Sequence, residues 1–143
     1  MEPGILLTFL LTMAQRVAVG SRQILPRQLI LVNMISFTAQ RHAEKLIERI
    51  LFLEGIPSVG NLNKILIGKN IEEQFRNDHE AGTEAISVYK DAIRLAVESF
   101  DDGTAQLLRS ILADEENHLD WLEIQLAQIG QVELQNYLLE QIA

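Results

Sequence analysis

Apolar residues recur every three or four positions along most of the chain, with polar residues filling the intervals, the periodicity of helices that each bury one face. Over residues 36–54, SFTAQRHAEKLIERILFLE, the series Phe37, Leu46, Ile47, Ile50, Leu51 and Leu53 predicts an amphipathic helix that Gly55 and Pro57 stop. Residues 56–68 read as a connection, with Gly60 and Asn61 as turn residues. Asn70 followed three positions later by Glu73 is an N-cap pattern, and Phe75, Ile86, Ala92, Ile93 and Val97 carry a second helix to about residue 99, with Gly82 its one weak point. Asp101, Asp102 and Gly103 predict a turn. A third helix follows over 104–129, with Leu107, Leu108, Ile111, Leu112, Leu119, Leu122 and Leu126 facing inward and Gly130 as its cap. The last segment, 132–142, carries Leu134, Leu138 and Ile142 on one narrow stripe, which predicts a short helix docked on a surface outside the main bundle.

The first 41 residues follow another pattern. Residues 5–14, ILLTFLLTMA, are apolar and precede the small residues Val17, Ala18, Val19, Gly20 and Ser21, as in a secretion signal, but the only charge ahead of them is Glu2. The run is also shorter than the roughly 20 residues a membrane span needs, so a buried helix is the expectation. Gly20 and Pro26 predict a loop or break over 20–27. Residues 1–41 hold four arginines (Arg16, Arg22, Arg27, Arg41) against Glu2 alone, a balance of +3. The remaining 8 basic and 19 acidic residues give −11 over 42–143. Charge, composition and loop signals change together near residue 41, which predicts a boundary between an atypical N-terminal segment and a helical unit over 42–143.

Composition narrows the class to all-α. At 143 residues and 48% hydrophobic content the chain can bury one core, and with 6% aromatics and three prolines it suits helices better than short strands. No cysteine is present, so a metal would have to be held by carboxylates and imidazoles. A net charge of −8 excludes the basic footprint of a nucleic-acid binder and favours cations as partners. The glycine-rich phosphate loops and the G-x-S-x-G elbow are absent from the sequence.

Glu115 and His118 stand three apart on the third helix and so share a face, where both could hold one cation. Spacing alone fits a solvent-facing charged turn, Asp114 to His118, equally well. The flanking Leu112, Leu119 and Leu122 favour the ligand reading. His42 has Ala39 three residues before it where a paired E-x-x-H motif would have glutamate, and by spacing alone it reads as a lone surface or core histidine. His79, between Asp78 and Glu80, reads as exposed, and Trp121 as a packing residue.

The segments HAEKLIERILFLEGIPSVGNLNKILIG (42–68), DEENHLDWLEIQLAQIG (114–130) and LQNYLLEQI (134–142) resemble bacterioferritins, in order and without an obvious gap across 42–143. The resemblance implies a ferritin-like four-helix bundle with a short fifth C-terminal helix, assembled into a cytoplasmic 24-subunit shell that stores ferric mineral. It implies a di-iron ferroxidase centre built from two E-x-x-H motifs and two further glutamates, and haem held between paired subunits by methionine. Residue by residue, it carries over Glu115, His118 and His42 as metal ligands. It also places Ala39 and Gly82 where two more glutamates belong, and Gln40 where the haem-ligating methionine belongs. Residues 1–41 show no counterpart of the family's first helix, whether through diverged sequence or through text read in another frame. The expectation is therefore an iron-storage subunit with an incomplete oxidising centre, taking ferrous and ferric iron but no haem, partnered by like or intact bacterioferritin subunits, and binding neither nucleic acid nor membrane. Two rivals remain: a complete ferroxidase using Glu80 or Glu84 as substitute ligands, and a metal-free helical interaction module.

Overall fold

A computed structural model describes residues 26–57 and 68–142, with side chains from Thr38 onward except Ala39. The expected helix over 5–14, the loop signals over 20–25 and the turn at Gly60 and Asn61 lie outside the described residues. The described residues form four helices: α1 (Pro26–Phe52), α2 (Ile71–Glu98), α3 (Asp102–Val132) and the short α4 (Leu134–Ile142).

The first helix is longer than its apolar periodicity predicts. It begins at Pro26 rather than near residue 36, because proline needs no amide partner at the start of a helix and its fixed φ already suits one. α1 therefore runs unbroken across residue 41.

The helix ends do not use the glycines beside them. The positive-φ residues are Glu54 (59°), Phe100 (56°) and Glu133 (64°), and among the described residues no glycine has positive φ. At the end of α1 the Gly55 amide donates to Ile50 O at 2.8 Å and the Glu54 amide to Leu51 O at 3.0 Å, a Schellman closure with glutamate in the left-handed place. The end of α2 repeats it: Asp101 N donates to Ala96 O at 2.9 Å and Phe100 N to Val97 O at 3.0 Å. α3 continues through Gly130, which is open to solvent, and stops at Glu133. Gly103 lies inside the first turn of α3, where a Cβ would come within 2.7 Å of the Arg49 guanidinium.

α2 and α3 pack as an antiparallel pair, shown by Phe75 against Trp121, His79 against Glu123 and Gly82 against Leu119. Their buried faces repeat every seven residues, Phe75, Gly82, Tyr89 and Ala96 on α2 and Leu108, Glu115, Leu122 and Ile129 on α3. Val97, one of the apolar residues that carry the helix pattern, is exposed. α1 joins this pair through Ala43 and Leu46, which share a core with Ala85, Tyr89, Leu108 and Ile111. Its C-terminal end is pinned by Arg49, whose Nε donates to Thr104 Oγ1 at 2.8 Å and whose Nη2 donates to Asp101 Oδ1 at 2.6 Å. The N-cap at Asn70 forms as predicted, its side chain accepting from Glu73 N at 2.9 Å.

α4 corrects a further expectation. It docks on its own chain rather than outside the bundle, inserting Tyr137 (1% exposed) among Ile71, Phe75, Leu122 and Ile129, with Leu134 and Leu138 at the rim. Ile142, predicted to lie on the docking stripe, is exposed.

A left-handed glutamate carries a Cβ clash that glycine lacks. Glu54→Gly is therefore expected to stabilise the chain by about 1 kcal/mol. Urea unfolding checks this: the midpoint should rise with the slope unchanged.

Candidate metal centre

The seven-residue repeat of α3 forces an acid into the core. Glu115 occupies the place held elsewhere in the series by Leu108, Leu122 and Ile129, and it is only 7% exposed. Burial first, and the neighbouring Asp114 second, push its carboxyl up from 4.5 to about 7, because a low-dielectric surrounding disfavours the ionised form. Around neutral pH it is close to half protonated.

His42 meets it from α1. The imidazole is 3% exposed, its Nε2 donates to Asp114 Oδ2 at 2.8 Å, and its Nδ1 stands 3.9 Å from Glu115 Oε1. Burial lowers its pKa while Asp114 opposes that shift. With the Nε2 proton committed to Asp114, the ring presents its Nδ1 lone pair toward Glu115. A carboxylate that fixes the tautomer in this way is the usual outer support of a metal-binding histidine. At 3.9 Å no hydrogen bond joins Nδ1 to Glu115, and Nδ1 is buried without a partner.

His118 is half-buried one turn beyond Glu115, its ring stacked on Trp121 with centroids 6.3 Å apart and planes 14° apart. Burial pulls its imidazole down to about 4, so at pH 7 it is neutral and able to act as a ligand. Thus His42 and Glu115 come together, while the described contacts of His118 run to Trp121. Among the described residues no group of three His, Asp or Glu side chains is already arranged around a cation.

Other expected features resolve as follows. Gly82 is buried, and a Cβ there would lie 3.3 Å from Leu119 Cδ1, so Leu119 occupies the space beside it. Glu80 and Glu84, the substitute ligands considered, are both exposed. His79, expected to be exposed, is half-buried, and its Nε2 lies 2.9 Å from Glu123 Oε1 across the α2–α3 seam. Trp121 packs edge-on to Phe75, with ring centroids 5.4 Å apart. Gln40 is exposed and offers an amide where haem iron would want a soft thioether, so this position does not fit haem. Sequence reasoning missed Asp114, whose only signal was its place beside the E-x-x-H pair.

A model of the ferritin-like domain family matches residues 36–132. The chain belongs to the ferritin-like family. Within it, the chain is 41% identical over 97 residues to a bacterioferritin of Mycobacterium leprae, covering 68% of this chain and 61% of that protein. It is 40% identical over 102 residues to a bacterioferritin of Mycobacterium avium, covering 71% and 64%. A bacterial ferritin of Synechocystis is 42% identical over 103 residues, covering 71% and 66%. This ferritin-like chain thus spans a little under two thirds of the curated relatives it matches. The family match confirms the all-α, ferritin-like reading. Among the described residues no helix is long and apolar enough to cross a membrane.

The buried acid sets a pH signature. Glu115 keeps its proton to about pH 7 in the folded chain but loses it near 4.5 when unfolded, so its stabilising effect is full below pH 4.5 and is lost as pH rises toward 7. Glu115→Gln should therefore match the parent at pH 4 and exceed it by about 3 kcal/mol at pH 8. Denaturant unfolding of the metal-free proteins at both pH values gives that difference, and His118, common to both, cancels.

Proposed function

We propose that this chain is an iron-storage subunit of a bacterioferritin-like shell, and that it holds a single non-haem iron per bundle instead of a complete two-iron oxidising centre. The carrying observation is the pair of buried groups that the protein itself leaves unjoined, Glu115 and the Nδ1 of His42, 3.9 Å apart. One cation between a carboxylate and a neutral imidazole would satisfy both, and His118, neutral and one turn along, is the third ligand. Iron suits the donor set, since imidazole and carboxylate oxygen without thiolate are common ligands of ferrous and ferric ions. The names of the relatives, bacterioferritin and bacterial ferritin, point to the same cargo.

A second iron lacks its holders. Gly82 and Ala39 carry no donor atoms, Leu119 fills the space beside Gly82, and the exposed Glu80 and Glu84 turn away from the interior. Such a subunit stores iron by joining other bacterioferritin subunits, like chains or intact ones, with oxidation to the ferric state carried mainly by complete centres. A metal-free interaction module would have no reason to bury Glu115 and His42 against each other.

Anaerobic titration of the metal-free chain with ferrous iron tests the reading. We expect one equivalent bound per chain, with affinity reduced at least tenfold in His42→Ala and Glu115→Ala. Two equivalents of similar affinity would contradict it, as would uptake indifferent to both substitutions.

A further inference from the structure

Among the described residues, two side-chain polar atoms are buried with no hydrogen-bond partner: His42 Nδ1 and the hydroxyl of Tyr89. The first belongs to the centre described above. The second has no structural reason to be there. Tyr89 is fully buried, and phenylalanine would fill the same volume without leaving a hydroxyl unpaired.

Its place in the fold supplies a reason. Tyr89 lies in the core cluster that contains Ala43 and Leu46, the first and fourth residues after His42 on α1, and Ile111, one turn before Glu115 on α3. It is seven residues after Gly82 and so on the same inward stripe of α2. Helical side chains lean toward the N-terminus of their helix, which carries the Tyr89 ring back along α2. Because α2 and α3 are antiparallel, with Gly82 opposite Leu119, that direction leads toward the level of Glu115. Burial first, and the neighbouring Glu115 second, hold the phenol above its ordinary pKa.

We propose that Tyr89 is a ligand of the iron in this centre, its phenolate oxygen joining His42 Nδ1 and Glu115 on one ferric ion. The inference rests on the single-iron reading above. A phenolate is a hard, anionic oxygen donor of the kind ferric iron prefers, and it compensates for charge lost with the carboxylates absent at positions 39 and 82. The exchange balances simply: the phenol O–H bond breaks, its proton leaves to solvent, and the oxygen takes the place of a water on the ion.

The experiment uses the metal-free full chain and ferric iron supplied as its nitrilotriacetate complex. Bound phenolate gives ferric iron a broad visible charge-transfer band. We expect that band at one equivalent of retained iron, lost in Tyr89→Phe with ferric affinity down at least tenfold, and kept in Tyr137→Phe. Tyr137 is the other tyrosine of the chain, and its hydroxyl donates to Gln125 Oε1 at 2.6 Å. Circular dichroism and a melting temperature no lower than the parent's show that Tyr89→Phe is folded. Iron retained by the parent without the band, or a band that survives Tyr89→Phe, overturns the phenolate ligand while leaving His42 and Glu115 as the cation's holders. A chain that takes up ferrous but not ferric iron also overturns it. Failure to retain either ion overturns the single-iron reading along with it.

Discussion

A carboxyl group buried in a helical core must be neutral, paired or bound to a cation, and Glu115 makes that requirement the centre of this molecule. The seven-residue repeat of α3 leaves it no other direction to face, since Leu108, Leu122 and Ile129 occupy the same series and anchor the seam with α2. Within the protein the requirement is met by neutrality and not by a close pair. His42 approaches to 3.9 Å but gives its proton to Asp114, and the hydroxyl of Tyr89 is buried without a hydrogen-bond partner. The carboxyl therefore retains its proton up to about pH 7. In most proteins such an arrangement would be replaced by an apolar residue, because leaving polar groups buried and unsatisfied costs stability. That cost is what the cation proposed above would offset.

The remaining contacts hold α1 in register with α3. Arg49 ties the end of α1 to Asp101 and Thr104 at the start of α3, and His42 ties its middle to Asp114. These two pins lie seven residues apart on α1, so they fix both the height and the rotation of the helix. A small slip would move Nδ1 away from Glu115. Gly103 leaves room for the first pin, since a Cβ there would come within 2.7 Å of the guanidinium and make Arg49 shift.

Much of this was legible in the sequence. Periodicity located α2, α3 and α4 and the all-α class, and the resemblance to bacterioferritins, borne out by the family match, supplied the ferritin-like fold. The helix ends were less legible. Gly55, Gly103 and Gly130 stand near the helix ends, yet Glu54, Phe100 and Glu133 take the left-handed conformation, because the end of a helix depends on where its apolar face runs out as well as on the nearest glycine. The docking of the short last helix is hidden for a related reason. Its aliphatic stripe points to Ile142, while the larger Tyr137, one position off that stripe, carries the packing. At the site, local spacing paired Glu115 with His118. It could not reveal that Asp114, 72 residues from His42, sets the imidazole tautomer, since that contact exists only once α1 lies on α3.

If a cation is what the buried groups lack, its binding must appear as folding stability, because a ligand that binds only the native state raises the unfolding free energy with concentration. The direct measurement is equilibrium unfolding of the metal-free chain in urea across a range of ferrous iron concentrations, under anaerobic conditions at pH 7.5. The account predicts stability rising by about 1.4 kcal/mol for each tenfold increase in free iron above the dissociation constant, the slope of one ion per chain. It also predicts that this rise is abolished in Glu115→Gln. Stability independent of iron in the parent chain, or a slope of two ions per chain, would contradict it.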